Sequence, residues 1–513
     1  MVKYKLLTAD FNLFLLPSDT EMTEFIEEVQ NLGERFPEIY KMISEDQDAL
    51  AKSKRDIRVL DRLYVHEKTS DIPGLESGSA AGACPSSAYL GKGRPRMSPE
   101  LVFLFIGLRG YWGSVSDRDA YERMRDSMTL HVLFRNMGVS IPGVTTILEN
   151  INCVTTATRN YIYRCQLGHI LDERLDDFLD VQMDSTSVKA SSSWPTDAGV
   201  ILKLLSRVYA RGGKLDRFGV ESFKDFYMPT WLKELKALLF EINNTRSKKE
   251  KKLKTLYSRH LKTAHRALGY LSRTLEDRIS EAEKTDRLPS VRLALMEILG
   301  AMEDDLLALS AVLYYSEERI FNGVVLPSSQ KILSISDSSA AFIKKGQRES
   351  VIGYKPQLCR SAKGFVTAMI LEKGNPADSE NLSPLVVLHK ANTGVTPKLV
   401  STDSGYASKK GYLDCIGLGV EDVCIGGSKG KALLSEELWL SEKYVSGRRM
   451  RSAVESLMFT LKYVFEFGLP RRRGLENVRD EMIEKITSYN FVKMLRMKRE
   501  RRNAKEDLLG KAA

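Results

Sequence analysis

Residues 179–190 read LDVQMDSTSVKA, with apolar and polar side chains alternating around Asp184. A period of two is the mark of a strand with one buried face, so this stretch predicts a core strand. A carboxylate among apolar neighbours is costly unless a cation or a donor neutralises it, which singles out Asp184. Downstream, residues 351–372 (VIGYKPQLCRSAKGFVTAMILE) read as two strands joined by Ser361-Ala362-Lys363-Gly364 in a hairpin. A helix around Leu382–Lys390 follows, then a short strand over 398–403 (KLVSTD) that stops at Asp403. Another strand is expected over 420–425 (VEDVCI), and residues 434–465 and 475–499 are helical by their spacing. Strands flanking a long helical text, with helices after them, predict an interrupted mixed α/β core.

Working toward the N-terminus, residues 97–178 read as a compact helical bundle of DNA-binding type. Ser98 is placed as an N-cap with Pro99 at the first helical position, and Ser116 as a second cap. Before it, residues 74–96 are rich in Gly, Ser, Ala and Pro and read as a linker. Residues 1–73 form an N-terminal helical segment, with Phe25, Val29, Leu32 and Phe36 at helical spacing. Between the first strand and the hairpin, residues 205–330 form a helical insertion. Its lysine-rich tract 247–284 reads as a solvated charged face or, alternatively, as a contact for a phosphate backbone. The α/β core is therefore assigned to 179–204 and 331–500, and 501–513 to a basic C-terminal tail.

The chain has 513 residues, 43% of them hydrophobic, which is enough to bury sizeable cores and excludes global disorder. Lys and Arg number 77 against 67 Asp and Glu, a net charge of +10 that points to a polyanionic partner. From Ser441 onward there are 18 Lys and Arg against 10 Asp and Glu, so +8 of that excess is C-terminal. Arg471, Arg472, Arg473 and the tract KMLRMKRERR (493–502) are its densest parts. A basic helix can meet a membrane, but this one has a short apolar face without Trp, so DNA is the better partner. No run of eighteen apolar residues occurs, and the N-terminus lacks a signal cleavage site, so no membrane partner and an intracellular location are expected. Six scattered cysteines without a CxxC pair argue against a zinc or redox motif and for buried thiols.

Three acids stand out by context: Asp184 in its strand, Asp403 at a strand end before Gly405, and Glu455 on a helix (RSAVESLMFTLK, 451–462). Arg451 precedes Glu455 by four residues and Lys462 follows it by seven. At about 100° per residue the three fall within roughly 60° of one another on one helix face. Carboxylates from two strands and a helix can converge on two divalent cations about 4 Å apart, the arrangement that activates phosphodiester transfer. Each residue also has a plainer reading. An Asp at a strand end is commonly a turn or cap, and Arg and Glu at i,i+4 commonly form a surface ion pair.

Rival signals weigh less. Asp337 (SISDSSAAF) and Asp197 (WPTDAG) read as turn or cap residues, and Trp194 as packing ahead of base stacking. IGGSKGKALL (425–434) fails the phosphate-loop pattern, leaving Lys429 and Lys431 as DNA-backbone contacts or simply solvated. His389 reads as structural, and no Ser/His/Asp array is arguable.

Taken together, these segments resemble an insertion-sequence transposase of the DDE superfamily, with an RNase H-like core. MDSTSVKA (183–190) resembles the first-Asp strand, GYKPQL (353–358) the second strand, and VSTDSGYAS (400–408) the second-Asp strand. RSAVESLMFTLK is similar to the C-terminal Arg-x3-Glu-x6-Lys signature, and 116–134 with 141–151 to the N-terminal domain. One departure is visible: where the family often has Tyr, three residues before Arg451, this chain has Arg448. The gap from Asp184 to Asp403 is 219 residues and that from Asp403 to Glu455 only 52, which puts the insertion between the first and second core strands.

The resemblance implies an RNase H-like mixed-sheet core interrupted by a large helical insertion, with a helical N-terminal region. It implies Asp184, Asp403 and Glu455 as the catalytic, metal-binding triad for two Mg²⁺ ions, with Mn²⁺ as a substitute. Arg451 and Lys462 would be accessory groups for transposon-end and target duplex DNA. Arg448, Lys429, Lys431, Arg471, Arg472 and Arg473 are the further expected DNA contacts. A homodimer on DNA and a cytoplasmic, nucleoid-associated location in a prokaryote follow. The alternatives are a metal-dependent nuclease without strand transfer and a catalytically silent DNA-binding relic.

Overall fold

A computed structural model describes residues 17–70, 96–113, 116–136, 141–190, 196–223, 227–245, 249–284, 286–324, 327, 331–335, 337, 339–344 and 350–512. The expected linker lies almost wholly outside the described residues, as do Cys84 and Trp194. The chain divides into two compact units, one of residues 1–49, 95–191 and 339–513, the other of 50–94 and 192–338.

The strands are β1 (Asp180–Ser185), β2 (Val188–Lys189), β3 (Ala341–Ile343), β4 (Val351–Tyr354), β5 (Gln357–Ser361), β6 (Val366–Ile370), β7 (Leu399–Thr402) and β8 (Asp422–Ile425). Five of them form a sheet in the order β6-β5-β1-β7-β8. β1 sits at its centre, antiparallel to β5 and parallel to β7, and β7 is parallel to β8. Val181 and Met183 are fully buried and join the core beneath one face of the sheet, but Gln182 on the opposite face is buried as well, so β1 is covered on both faces rather than the one its alternation predicts. The β5–β6 hairpin closes as expected, with Ser361 Oγ accepting the N–H of Phe365 and Gly364 at φ 103°, a conformation glycine adopts freely.

The expected two strands over 351–372 are in fact three. Pro356 has no N–H to continue a ladder, and the chain leaves one sheet at Tyr354 and enters the other at Gln357. β4 instead lies between β2 and β3 in a small antiparallel sheet. The helix expected over 434–465 is likewise divided, because Ser435 and Ser441 each act as an N-cap that starts a new segment.

The helices, in chain order, are α1 (Pro17–Arg35), α2 (Glu38–Ser70), α3 (Pro99–Tyr111), α4 (Asp117–Asp126), α5 (Met128–Asn136), α6 (Val144–Cys153), α7 (Thr156–Asp172), α8 (Asp197–Gly212) and α9 (Tyr227–Asn244). They continue as α10 (Glu250–Lys284), α11 (Pro289–Phe321), α12 (Leu382–Thr393), α13 (Lys409–Gly417), α14 (Gly427–Lys431), α15 (Glu436–Leu440), α16 (Glu442–Met450), α17 (Ser452–Tyr463) and α18 (Leu475–Ala512). Both expected caps form: Ser98 Oγ accepts the N–H of Leu101 and Ser116 Oγ that of Asp119.

In the first unit α12 and α13 cover one sheet face through Leu385, Val386 and Cys415, which pack with Val181, Val400 and Val423. Long α18 runs against α3 and α7, burying Val478, Met482, Ile486 and Phe491. Complete burial of such side chains contributes roughly 1.5–3 kcal/mol each. An ion network accompanies this packing: Arg159 on α7 donates to Glu484 at 2.7 Å and to Asp480 at 3.3 Å, and Arg109 on α3 also pairs with Glu484. Asn490 of α18 and Tyr163 of α7 both donate to the carbonyl of Val366, fastening the helices to edge strand β6.

The second unit packs α8–α11 around Leu204, Leu261, Leu271, Leu299 and Leu309. Arg207 and Arg211, one turn apart on α8, clamp buried Asp305 of α11. The lysine run at the start of α10 lies on an exposed face, and Asp197 pairs with Arg319 at 2.6 Å as a helix-start residue. No helix among the described residues is long and apolar enough to cross a membrane. The described cysteines are free thiols, and burial pushes Cys359, Cys415 and Cys424 up to about 12.

Candidate active site

The register of β1 against β7 ends with Met183 opposite Thr402. One residue further along stand Asp184, the penultimate residue of β1, and Asp403, the residue after β7, so two carboxylates lie at the same end of neighbouring parallel strands. Both are half-buried. Oδ1 of Asp184 accepts the N–H of Ser185 at 2.7 Å, and Oδ1 of Asp403 accepts the N–H of Gly405 at 2.9 Å. Asp403 thereby caps the short turn Ser404–Tyr406, so the plain turn role and a place at the strand end coexist.

Glu455 rides on α17, which packs on β1 through its buried face of Val454, Leu457, Met458 and Leu461. Its side chain is 68% exposed and pairs with Arg451 at 3.5 Å. Among the described residues, no three carboxyl, imidazole or thiol groups stand close enough together to hold a metal ion. The fold thus brings Asp184 and Asp403 side by side and carries Glu455 on a neighbouring helix, turned to Arg451. The donors suit a hard divalent cation, since the paired carboxylates offer oxygen ligands and open polar surroundings.

Behind the two aspartates lies a polar network that the motif reading did not single out. Asp378 accepts from Gln357 Nε2 at 2.6 Å and from Lys355 Nζ at 2.9 Å. The hydroxyl of Tyr406 donates to Gln357 Oε1. Burial tends to raise the carboxyl of Asp378, but the Gln357 and Lys355 hydrogen bonds and the Lys355 charge together hold it below its ordinary value. Burial drives the Tyr406 phenol well above its usual range, and the charges of Asp378, Asp184 and Asp403 push it further the same way. One buried hydroxyl therefore feels all three aspartates.

The expected basic residues fall into two groups. Lys429 and Lys431 are exposed on α14, Arg473 is exposed, and Lys462 sits in the last turn of α17. Arg448, Arg471 and Arg472 each engage a named neighbour. The guanidinium of Arg448 stacks 3.8 Å over Trp439 and donates to its carbonyl. Arg471 pairs with Glu466 at 2.8 Å, and Arg472 reaches Glu484 at 3.3 Å. Burial, with Arg109 and Arg159 nearby, lowers Arg472 to about 10. Tyr444 is buried, its hydroxyl bridging the N–H and carbonyl of Ile425 at the end of β8. On α17 the rings of Phe459 and Tyr463, four and eight residues after Glu455, pair 4.6 Å apart and are well exposed.

The rivals take structural places. Asp337 is buried with its N–H on Ser334 Oγ, and His389 is buried with Nδ1 2.7 Å from Thr367 Oγ1.

A mixed five-stranded sheet covered by helices, with acids at the ends of adjacent central strands, defines an RNase H-like α/β domain. Residues 326–491 match the family model of the transposase DDE domain, a match that supports a DDE-superfamily transposase. The matched stretch contains Asp403 and Glu455; Asp184 precedes it. Comparison with curated proteins and with solved structures finds no match.

Proposed function

We propose that the chain cuts the ends of a DNA element at terminal inverted repeats and joins the freed 3′-hydroxyl to target DNA. The observation that carries this reading is the pair of aspartates at the same end of β1 and β7, the second of them within the stretch that matches the transposase DDE domain. Asp184, Asp403 and Glu455 would hold two Mg²⁺ ions, with Mn²⁺ as a substitute. Bound there, such ions supply activation of the attacking oxygen and stabilisation of the leaving one. Glu455 reaches the pair by giving up Arg451. That exposed ion pair is worth at most a few tenths of a kcal/mol, so the exchange is cheap.

Released from Glu455, Arg451 joins Lys462, Lys429, Lys431 and Arg473 in holding the DNA backbone, which positions the strand without reading its sequence. Exposed Arg471 joins this surface from its pair with Glu466, while Arg448 and Arg472 support it from within, through Trp439 and Glu484. The helical region 97–178 is assigned to recognition of the repeats, 205–330 to the insertion, and 179–204 with 331–500 to the catalytic core. Two ends must be handled together, so the working form is a homodimer on DNA.

The test is Mg²⁺-dependent cleavage of duplexes carrying candidate terminal repeats, by wild type and by Glu455→Gln in parallel. The expected result is cleavage by wild type, with loss of at least about 100-fold in the variant and DNA binding retained. Equal activity of the two would remove Glu455 from the site. A pre-cut end offered with target DNA separates strand joining from simple hydrolysis. Cleavage without joining would make the chain a nuclease, and neither activity a DNA-binding relic.

A further inference from the structure

Lys355 lies between β4 and β5, immediately before Pro356, and its ammonium is held at two points. It is 2.9 Å from Oδ1 of Asp378 and donates at 2.9 Å to the carbonyl of Pro376. The two side chains are only 11% and 15% exposed, so this is a fixed, largely desolvated ion pair. Asp378 in turn stands beside Asp403: a Cβ placed at Gly405 would lie 3.0 Å from Oδ1 of Asp403 and 3.1 Å from Oδ2 of Asp378. Gln357 ties Asp378 to Tyr406, the hydroxyl that senses Asp184 and Asp403. Asp378 and Asp403 thus stand together with one internal cation, and Asp184 lies on the neighbouring strand.

We infer that Lys355 and Asp378 form a positioning and charge-setting pair that fixes how strongly the Asp184–Asp403 site attracts a divalent cation. This rests on the reading of Asp184 and Asp403 as cation ligands. With both partners in place their charges cancel, and the two site aspartates present a net charge of about −2 to an incoming ion. Removing the ammonium leaves Asp378 uncompensated and adds a negative charge nearby. Removing the Asp378 charge leaves Lys355 uncompensated and adds a positive one. In a partly buried setting, a unit charge within several ångströms of a divalent ion changes its affinity by tenfold or more.

The experiment is titration of the full-length protein, without DNA, with Mn²⁺ alone, reading free Mn²⁺ by electron paramagnetic resonance. Lys355→Met is expected to bind about tenfold tighter than wild type and Asp378→Asn about tenfold weaker. The double variant, in which the charge sum is restored, is expected to return to within about threefold of wild type. Lys355→Gln, which keeps a donor for Asp378, replaces Lys355→Met if the latter does not fold, as judged by its melting curve. Weakening by both single variants, or no recovery in the double, would reduce the pair to ordinary scaffolding and overturn the inference. Failure of the underlying reading looks different: wild type would then bind Mn²⁺ no better than Asp403→Asn.

Discussion

The N–H of Gly405 donates to Oδ1 of Asp403 at 2.9 Å, and a side chain in the turn it makes would fit only if its neighbours gave way by a few tenths of an ångström. The two groups that a Cβ would crowd are the carboxylates of Asp403 and Asp378. Gly405→Ala should therefore push Asp403 out of line with Asp184 while leaving the sheet intact. The expected outcome is a loss of cleavage of about tenfold or more, a tenfold loss being about 1.4 kcal/mol of barrier. Single-turnover rates at saturating Mg²⁺ check it, with a melting curve to confirm folding. An unchanged rate would mean that the position of Asp403 does not govern the chemistry.

Arg451 makes the opposite kind of prediction, because its contact with Glu455 lies in solvent. An exposed i,i+4 pair contributes only a few tenths of a kcal/mol, so Arg451→Ala should alter stability by less than about 0.5 kcal/mol. If Arg451 holds one phosphate, the slope of log affinity against log salt should fall by about 0.9. Arg451→Lys should restore the slope. Fluorescence anisotropy of a labelled duplex over a KCl series measures both.

Two buried histidines give the fold a sensitivity to acid. Burial lowers His260 on α10 and His389 on α12 to about 4, so each is neutral in the folded protein. An unfolded histidine titrates near 6.5. Between those values the unfolded chain binds more protons, so the stability contribution is complete above about pH 6.5 and is lost as pH falls toward 4. Each histidine accounts for at most about 3 kcal/mol of that loss. His260 belongs to the second unit and His389 to the first. Urea unfolding at pH 7.5 and pH 5.0 should show a clear drop in wild type. His260→Leu and His389→Leu should each flatten the drop for its own unit; an unchanged drop would assign the acid sensitivity to other groups.

The parts legible in the sequence are those governed by short-range rules. Alternation around Asp184, the hairpin turn at Gly364, the Ser98 and Ser116 caps and the helical periodicity of α17 all act within a few residues, and a linear pattern reports them. The division at Lys355-Pro356 was less visible, because β4 and β5 are each apolar enough to read as one strand, and only pairing separates them. Lys355, Gln357, Asp378 and Tyr406 were hidden for a different reason. They lie up to 51 residues apart and become a network only when the ends of β4, β5 and β7 meet. Even so, a Lys before Pro and an Asp in the turn NPADSEN offer no pattern that marks them as partners. Charge density pointed to Arg448 and Arg472, yet whether an arginine faces solvent or stacks on Trp439 depends on tertiary packing.

The same dependence on packing makes Arg159 the most exacting test of the first unit. It is 4% exposed and faces two carboxylates of α18, Glu484 and Asp480, while its guanidinium also donates to the carbonyls of Val154 and Ile151. Arg159→Met keeps much of the volume but leaves Glu484 shared between Arg109 and Arg472, with Asp480 lacking that cation. Breaking a buried pair in this way costs about 3–5 kcal/mol, because the remaining charge stays desolvated. The variant should lose that amount in urea unfolding of the first unit, with no change in the second. Adding Asp480→Asn to Arg159→Met should recover part of the loss by removing the carboxylate left without that cation. A cost below about 1 kcal/mol for Arg159→Met would mean that water or a local shift already solvates Asp480, and that the Arg159 ion pairs do not hold α7 to α18.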